Sequence, residues 1–299
     1  MKKRHALGRR RTVLAYLFLS PTILFYIIFF LVPVFFSLYI SLIKWDMLSP
    51  VTEAPFVGLK NYIYILTRDD LFWLTLKNTL VFAFGTVTLS VFLSLVLAFL
   101  FTRSRLKVLW RIVYWLPMVT TVVAIGQLWV YMLDGVYGLI NTLIGHVGIV
   151  GPNWLSDETW ALPTVMMISV WSGLGGAMLI FSAGLEGISE TFYEAARVDG
   201  ATVWQEFWKI TMPLLRPAIL FNLVTGFIGG LSAFVLIMVM TQGGPVNATN
   251  VVGNYMYQVA FQDMRMGRAS AMSFVLFAII LVVTLLQLRI FRRGGVEAY

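Results

Sequence analysis

The sequence predicts an all-α polytopic membrane protein with about six spanning helices, and three observations predict it. The 299 residues are 59% hydrophobic and only 12% charged, whereas a domain covered by water carries roughly 25% charged residues. Several charge-free stretches reach the ~20 residues that a hydrocarbon core demands of a helix. Aromatic residues make up 15%, which suits a chain with two membrane–water interfaces. Mean hydropathy is +0.84. The net charge of +8 would suggest nucleic-acid binding in a soluble protein; here topogenic Lys and Arg account for it, and no nucleic-acid partner is expected. Cysteine is absent, which excludes disulfides, thiol catalysis and cysteine metal sites.

Taken in order, residues 1–11 form a basic tail holding Lys2, Lys3, Arg4, Arg9, Arg10 and Arg11. The run 12–43 has no charge and is far longer than the apolar core of a signal peptide, so it reads as an uncleaved first span. Pro21 and Pro33 can kink it, and its excess length permits tilt. An outer loop, 44–77, follows. Within it Leu59–Leu76 carries Lys60, Arg68, Asp69 and Asp70 among apolar and aromatic positions, and reads as one helix lying at the outer interface. Asp69 and Asp70 read as a solvated helix face. The second and third spans are placed at 78–102 and 112–133, an outer loop at 134–158 and the fourth span at 159–185. A long inner loop, 186–216, leads to the fifth span at 217–240. Gly243, Gly244 and Pro245 end that helix, and Asn247, Thr249, Asn250 and Asn254 mark an outer loop, 241–268, as polar. The last span is placed at 269–288, and the transmembrane domain as a whole at 70–290.

Positive charge sets the expected orientation. With the N-terminus inside, inner segments hold sixteen Lys and Arg and outer segments six, so both termini are expected in the cytoplasm. The fourteen acids all fall outside the spans. Ion-coupled carriers place carboxylates at membrane depth, so energy is expected to enter from elsewhere. A secondary carrier remains a rival reading. A membrane-embedded enzyme would need clustered acids or a Ser–His pair near an interface. His5 and His146 are too few and too far apart for a zinc site, and no lysine follows a glycine as a phosphate-binding loop requires.

The inner loop is the most informative segment. Ser189 can cap a first helix, with Glu190 and Glu194 near its positive end. Ile188, Phe192, Ala195 and Ala196 share one face; Glu190, Glu194 and Arg197 share the other. Gly200 can stop this helix in the left-handed conformation. Thr202 and Gln205 form a capping box for a second helix, whose apolar face carries Trp204, Phe207, Trp208 and Ile210. Pro213 marks the entry to span five. A short helix with small apolar residues beside a carboxylate suits docking into a groove on another protein. An amphipathic helix resting on the membrane surface would show the same pattern, and both readings stand.

Glu194-Ala195-Ala196, three residues, Gly200, nine residues, then Ile210-Thr211-Met212-Pro213 resembles the EAA loop of ABC importer permeases. Met212 in place of Leu is the one departure. The resemblance runs along the chain: Phe56–Tyr62, Asn153-Trp154-Leu155, Thr241–Pro245 and Met266–Ala271 are similar to motifs of the carbohydrate-uptake permeases, the maltose and glycerol-3-phosphate type. Within that group the chain resembles the first of two paired permeases.

This resemblance implies a type I ABC importer permease fold in a bacterial or archaeal cytoplasmic membrane. It implies a non-catalytic subunit that imports a sugar or sugar-like solute, or another small solute within the same superfamily. The implied partners are a second homologous permease, two copies of a cytoplasmic ABC ATPase carrying the ATP and Mg, an extracytoplasmic solute-binding protein, the solute and membrane lipid. No cofactor is implied for this chain. By the same resemblance Glu194, Ala195, Ala196, Asp199, Gly200, Ile210 and Pro213 couple to the ATPase. Spans four and five are expected to line the solute path, through Ser172, Gly173, Gly176, Asn222, Thr225, Gly229, Gly230 and Ser232. Close helix packing explains glycines in a membrane bundle equally well. Polar groups at depth need partners, which makes Ser172, Asn222, Thr225 and Ser232 the better path candidates. Gly229, Gly230 and Ala233 stand where maltose-type members carry amide and aromatic side chains, which leaves the identity of the sugar open.

Overall fold

The computed structural model describes residues 2–102 and 104–292. The side chains of the basic segment 1–11, together with Arg103 and Arg293, lie outside the described residues. The described chain is helical, with one isolated antiparallel bridge, Ile43 to Phe56. It divides into two compact units: residues up to 68 with 257–274, and residues 69–256 with those from 275 onward.

In the first unit, α1 (Lys2–Tyr26) runs through a π-helical turn, Ile27–Leu31, into α2 (Val32–Ser41). The wide turn precedes Pro33, whose ring and missing N–H disturb the regular ladder. The apolar part, Leu14–Ser41, is 28 residues long and almost wholly unburied. At 1.5 Å per residue it measures about 42 Å, longer than a ~30 Å hydrocarbon core. Beyond it α3 (Lys60–Arg68) is held by Asn61, a buried side chain that donates to the carbonyls of Ser41 (2.8 Å) and Ile43 (3.0 Å).

The interfacial helix expected over Leu59–Leu76 is two helices. α3 stops at Arg68, and α4 (Asp70–Thr102) opens the second unit eight residues before Asn78. Asp69 is the reason for the break. Its carboxylate accepts from the Phe72 N–H (3.0 Å), the capping bond that starts a helix, and from the Tyr255 hydroxyl at 3.0 and 3.1 Å. Asp69 is 8% exposed, so it is a buried cap and not part of a solvated face; Asp70 is exposed in the first turn of α4.

The expected third span, 112–133, is two helices, α5 (Lys107–Val119) and α6 (Val122–Met132), set at 96°. Pro117 weakens the end of α5, and Thr120 and Thr121 are both extended. Thr121 then caps α6 through the Ala124 N–H, 3.4 Å away. A short α7 (Leu139–Gly145) sits in the segment expected as loop, and α8 (Ala161–Glu186) follows. The inner loop holds α9 (Glu190–Val198), α10 (Val203–Glu206), a π-turn at Phe207–Thr211 and α11 (Met212–Leu214).

The expected fifth span is also interrupted. α12 (Arg216–Leu231) ends at Ser232, and the chain resumes as α13 (Val235–Met240). Among the described residues four helices are long and apolar enough to cross a membrane, or up to six if each bent pair forms one crossing. α4 packs chiefly on α8 and α12, and α5 on α8. Phe82, Ile125, Ile168, Ile237 and Val251 close a core between α4, α6, α8 and α13.

The segment 241–268, expected as a polar outer loop, is folded against the helices. Thr249, Asn250 and Asn254 are fully buried. The Asn78 amide donates to the carbonyls of Asn247 and Asn250, each at 3.0 Å, and the Thr79 hydroxyl accepts from the Val252 N–H at 2.9 Å. These polar side chains satisfy backbone groups of a loop folded inward, as buried peptide groups require. The chain then passes through α14 (Val252–Tyr257) and a π-turn, Gln258–Gln262, to α15 (Met266–Arg292).

Candidate functional site

Two places collect the residues singled out by the sequence: the elbow formed by α9 to α11, and a cleft between α4, α5, α8 and α12.

The elbow is two short arms around Gly200. At the end of α9 the Ala201 N–H donates to the Ala196 carbonyl (2.9 Å) and the Gly200 N–H to the Arg197 carbonyl (3.1 Å). With φ of +78° at Gly200, this is the Schellman stop, and a side chain there would strain the left-handed backbone. The second arm starts at once through the Thr202–Gln205 capping box. Ser189 occupies the N-cap position of α9, but its hydroxyl pairs with that of Thr191 (2.8 Å), so the expected cap bond is not made.

Two contacts tie the arms together. Arg197 donates from Nε to Glu206 (3.1 Å) and from its terminal nitrogen to Glu190 (3.3 Å). The Tyr193 and Thr211 hydroxyls meet at 2.9 Å. Glu206 is 5% exposed, so Arg197 is the partner that makes its burial tolerable. With the polar face used in this brace, Phe192, Glu194, Ala195, Asp199 and Gly200 are exposed and Ala196 is half-buried. At the tip Val198 and Trp204 are also exposed. Ile210 and Pro213 are half-buried in the second arm, which meets α12 at Leu215 with a 61° bend.

The cleft has a volume of about 800 Å³. It brings together Gly173 and Gly176 of α8 with Asn222, Thr225, Gly229 and Gly230 of α12. Two expected path residues lie off it. Ser172 turns its hydroxyl to the Ser169 carbonyl (3.0 Å), and Ser232 is the exposed residue at the end of α12. The glycines do different jobs. A Cβ at Gly230 would press on the backbone of Ala83, and one at Gly226 on Val87, so these two allow α12 to approach α4. A Cβ at Gly229 would meet nothing within 4 Å. The Asn222 amide donates to the Ala218 carbonyl (3.0 Å) and Thr225 to Phe221 (2.7 Å), each one turn back along the helix.

The residues expected from the sequence to line the path lie in spans four and five. Thr86 and Ser90 of α4, Trp115 and Met118 of α5, and Ser169 of α8 also line the cleft. The spacing of Phe82, Thr86 and Ser90 at four-residue intervals was available as a signal, because such positions share one helix face.

This bundle of broken apolar helices with its exposed two-arm elbow is the membrane component of a binding-protein-dependent transport system. The chain belongs to the family of binding-protein-dependent transport system inner membrane components, whose model matches residues 90–294. It is 33% identical to the lactose transport system permease protein LacF of Rhizobium radiobacter, over 95% of this chain and 96% of the relative. It is also 33% identical to the trehalose/maltose transport system permease protein MalF of Thermococcus litoralis, again over 95% of this chain and 96% of the relative. A crystal structure of a bacterial alginate ABC transporter, in complex with an alginate pentasaccharide-bound periplasmic protein, shares the fold. That match has a TM-score of 0.82 at 23% identity and covers 95% of this chain and 96% of the other.

Proposed function

We propose that this chain is one of two paired permeases of an importer for a sugar or sugar-like solute, with both termini in the cytoplasm. ATP and magnesium are held by two separate ATPase subunits, and a binding protein delivers the solute from outside. Sugar as the solute class is supported by relatives named for lactose and for trehalose/maltose, and delivery by the alginate transporter solved with its periplasmic protein. Sixteen inner against six outer basic residues support the orientation.

The observation that carries the coupling role is the elbow: a braced helix pair with Glu194 and Ala195 uncovered. In this reading the ATPase grips Phe192, Ala195 and the exposed tip, and Glu194 pairs with a basic group of that subunit. Movement of the elbow passes through Leu215, which is 1% exposed, into α12, and α12 carries Asn222 and Thr225 into the cleft. The amide oxygen of Asn222 and the hydroxyls of Ser90 and Ser169 offer hydrogen bonds to a polyol, and Trp115 an apolar ring.

Glu194→Arg is expected to leave the chain folded and inserted while abolishing co-purification of the ATPase or solute-stimulated hydrolysis. Unchanged uptake by that variant would remove the assignment. Uptake of labelled sugars with the cognate binding protein, set against non-sugar solutes, tests the solute class.

A further inference from the structure

The first unit holds a cleft of about 730 Å³ that the transport reading does not use. Its walls carry five cations: Lys44, Lys60, Arg68, Arg265 and Arg268. None of the five is in an ion pair among the described residues. Arg268 lies instead over the ring of Tyr64, 3.7 Å from its centroid. Two acids share the lining, Asp46 and Asp263. Asp46 is already committed to its own turn: it accepts from the N–H groups of Leu48 (3.1 Å) and Ser49 (3.3 Å) and from the Ser49 hydroxyl (3.1 Å). Those bonds hold its carboxyl below the usual carboxylate range. Five positive groups in one recess repel one another unless an anion joins them.

The recess is fixed by its surroundings. Buried Asn61 ties α3 to the end of α2 through the Ser41 and Ile43 carbonyls. Gly267 lies so close to the Ile43 carbonyl that a Cβ has no room. Lys44, Lys60 and Arg268 therefore come from three segments clamped together. Its depth is fixed as well. Lys44 follows the apolar helix Leu14–Ser41 by three residues, and Arg268 stands in the first turn of the apolar helix Met266–Phe291. Charged residues at the ends of two such helices sit where hydrocarbon gives way to headgroups. The same lining includes Trp45 and the exposed apolar residues Ile63 and Met264. Cations, an indole and exposed aliphatic groups together are the chemistry of a lipid interface.

We propose that this cleft binds the phosphate of an anionic phospholipid headgroup, held by Lys44, Lys60 and Arg265 with Arg68 and Arg268 at its margins. Charge-assisted bonds to phosphate oxygens satisfy the cations, and the acyl chains lie along the unburied face of the Leu14–Ser41 helix. An acidic soluble partner would offer the charge but nothing for Ile63 and Met264.

The test uses the full chain in detergent with phosphatidylglycerol, phosphatidylcholine or inorganic phosphate. Retained ligand is read by native mass spectrometry and stability by the thermal midpoint. Phosphatidylglycerol is expected to be retained at least tenfold better than phosphatidylcholine and to raise the midpoint. Lys60→Gln with Arg265→Gln removes that preference. Arg68→Gln, at an exposed helix end, weakens it several-fold without changing the midpoint of the lipid-free protein. Equal retention of the two lipids overturns the proposal, as do variants that keep the preference. A response to inorganic phosphate alone overturns the lipid as source. Loss of binding-protein association in the variants, with lipid retention unchanged, assigns the cleft to an acidic protein face instead.

Discussion

Two glycines, Gly175 buried against α5 and Gly229 lining the cleft, separate two uses that look identical in sequence. A Cβ at Gly175 would collide with the Tyr114 backbone, which has no flexible end to yield, whereas one at Gly229 meets open space. Gly175→Ala is therefore expected to cost about 1–3 kcal/mol by overpacking and to lower the yield of inserted protein. Gly229→Leu should leave yield and thermal midpoint unchanged and raise the KM for solute uptake several-fold by narrowing the cleft. Equal effects of the two on yield would refute the distinction. The residues legible in sequence are those whose partners lie close in the chain. The Thr202–Gln205 box and the left-handed Gly200 each depend on neighbours within a few positions. Asp69 is not legible in this way: its half-buried partner, Tyr255, lies 186 residues away, and no local pattern separates a buried cap from a solvated acid.

At the scale of elements, uncharged runs locate apolar helices well and their breaks poorly. Pro117 with Thr120 and Thr121 divides one run, and Ser232–Phe234 divides another, yet none of these residues adds charge to mark the interruption. The polar loop residues mislead for the opposite reason: Thr249, Asn250 and Asn254 are buried and bond inside the protein, Asn250 to the Asn247 side chain and Asn254 to Asn250 and the Gln242 carbonyl, where composition alone suggests solvent. The elbow offers the sharpest element-scale prediction. Arg197→Ala leaves Glu206 buried without its cation. Because Arg197 is itself 54% exposed, the expected loss of local stability is about 1–2 kcal/mol, below the full cost of an orphaned buried charge. Faster hydrogen exchange across α9 and α10 would report it. Adding Glu206→Gln should recover much of the loss, since a neutral amide is cheaper to bury than a carboxylate. No recovery would mean that the brace acts through packing alone.

At the scale of the whole molecule, the family match spans residues 90–294 and so includes the elbow, the bent corner at Leu215 and most of the cleft. These parts lie in series on one stretch of backbone. α12 begins one residue after the corner and reaches Asn222 within two turns. In the coupling proposed above, a push along the elbow meets α12 at 61° and so has a sideways component that tilts this helix as well as one along it, shifting Asn222, Thr225 and Gly229 in the cleft. A geneticist selecting for restored growth in a strain crippled at Glu194 should therefore recover second-site changes in α12, and some of those revertants should accept solutes the parent refuses.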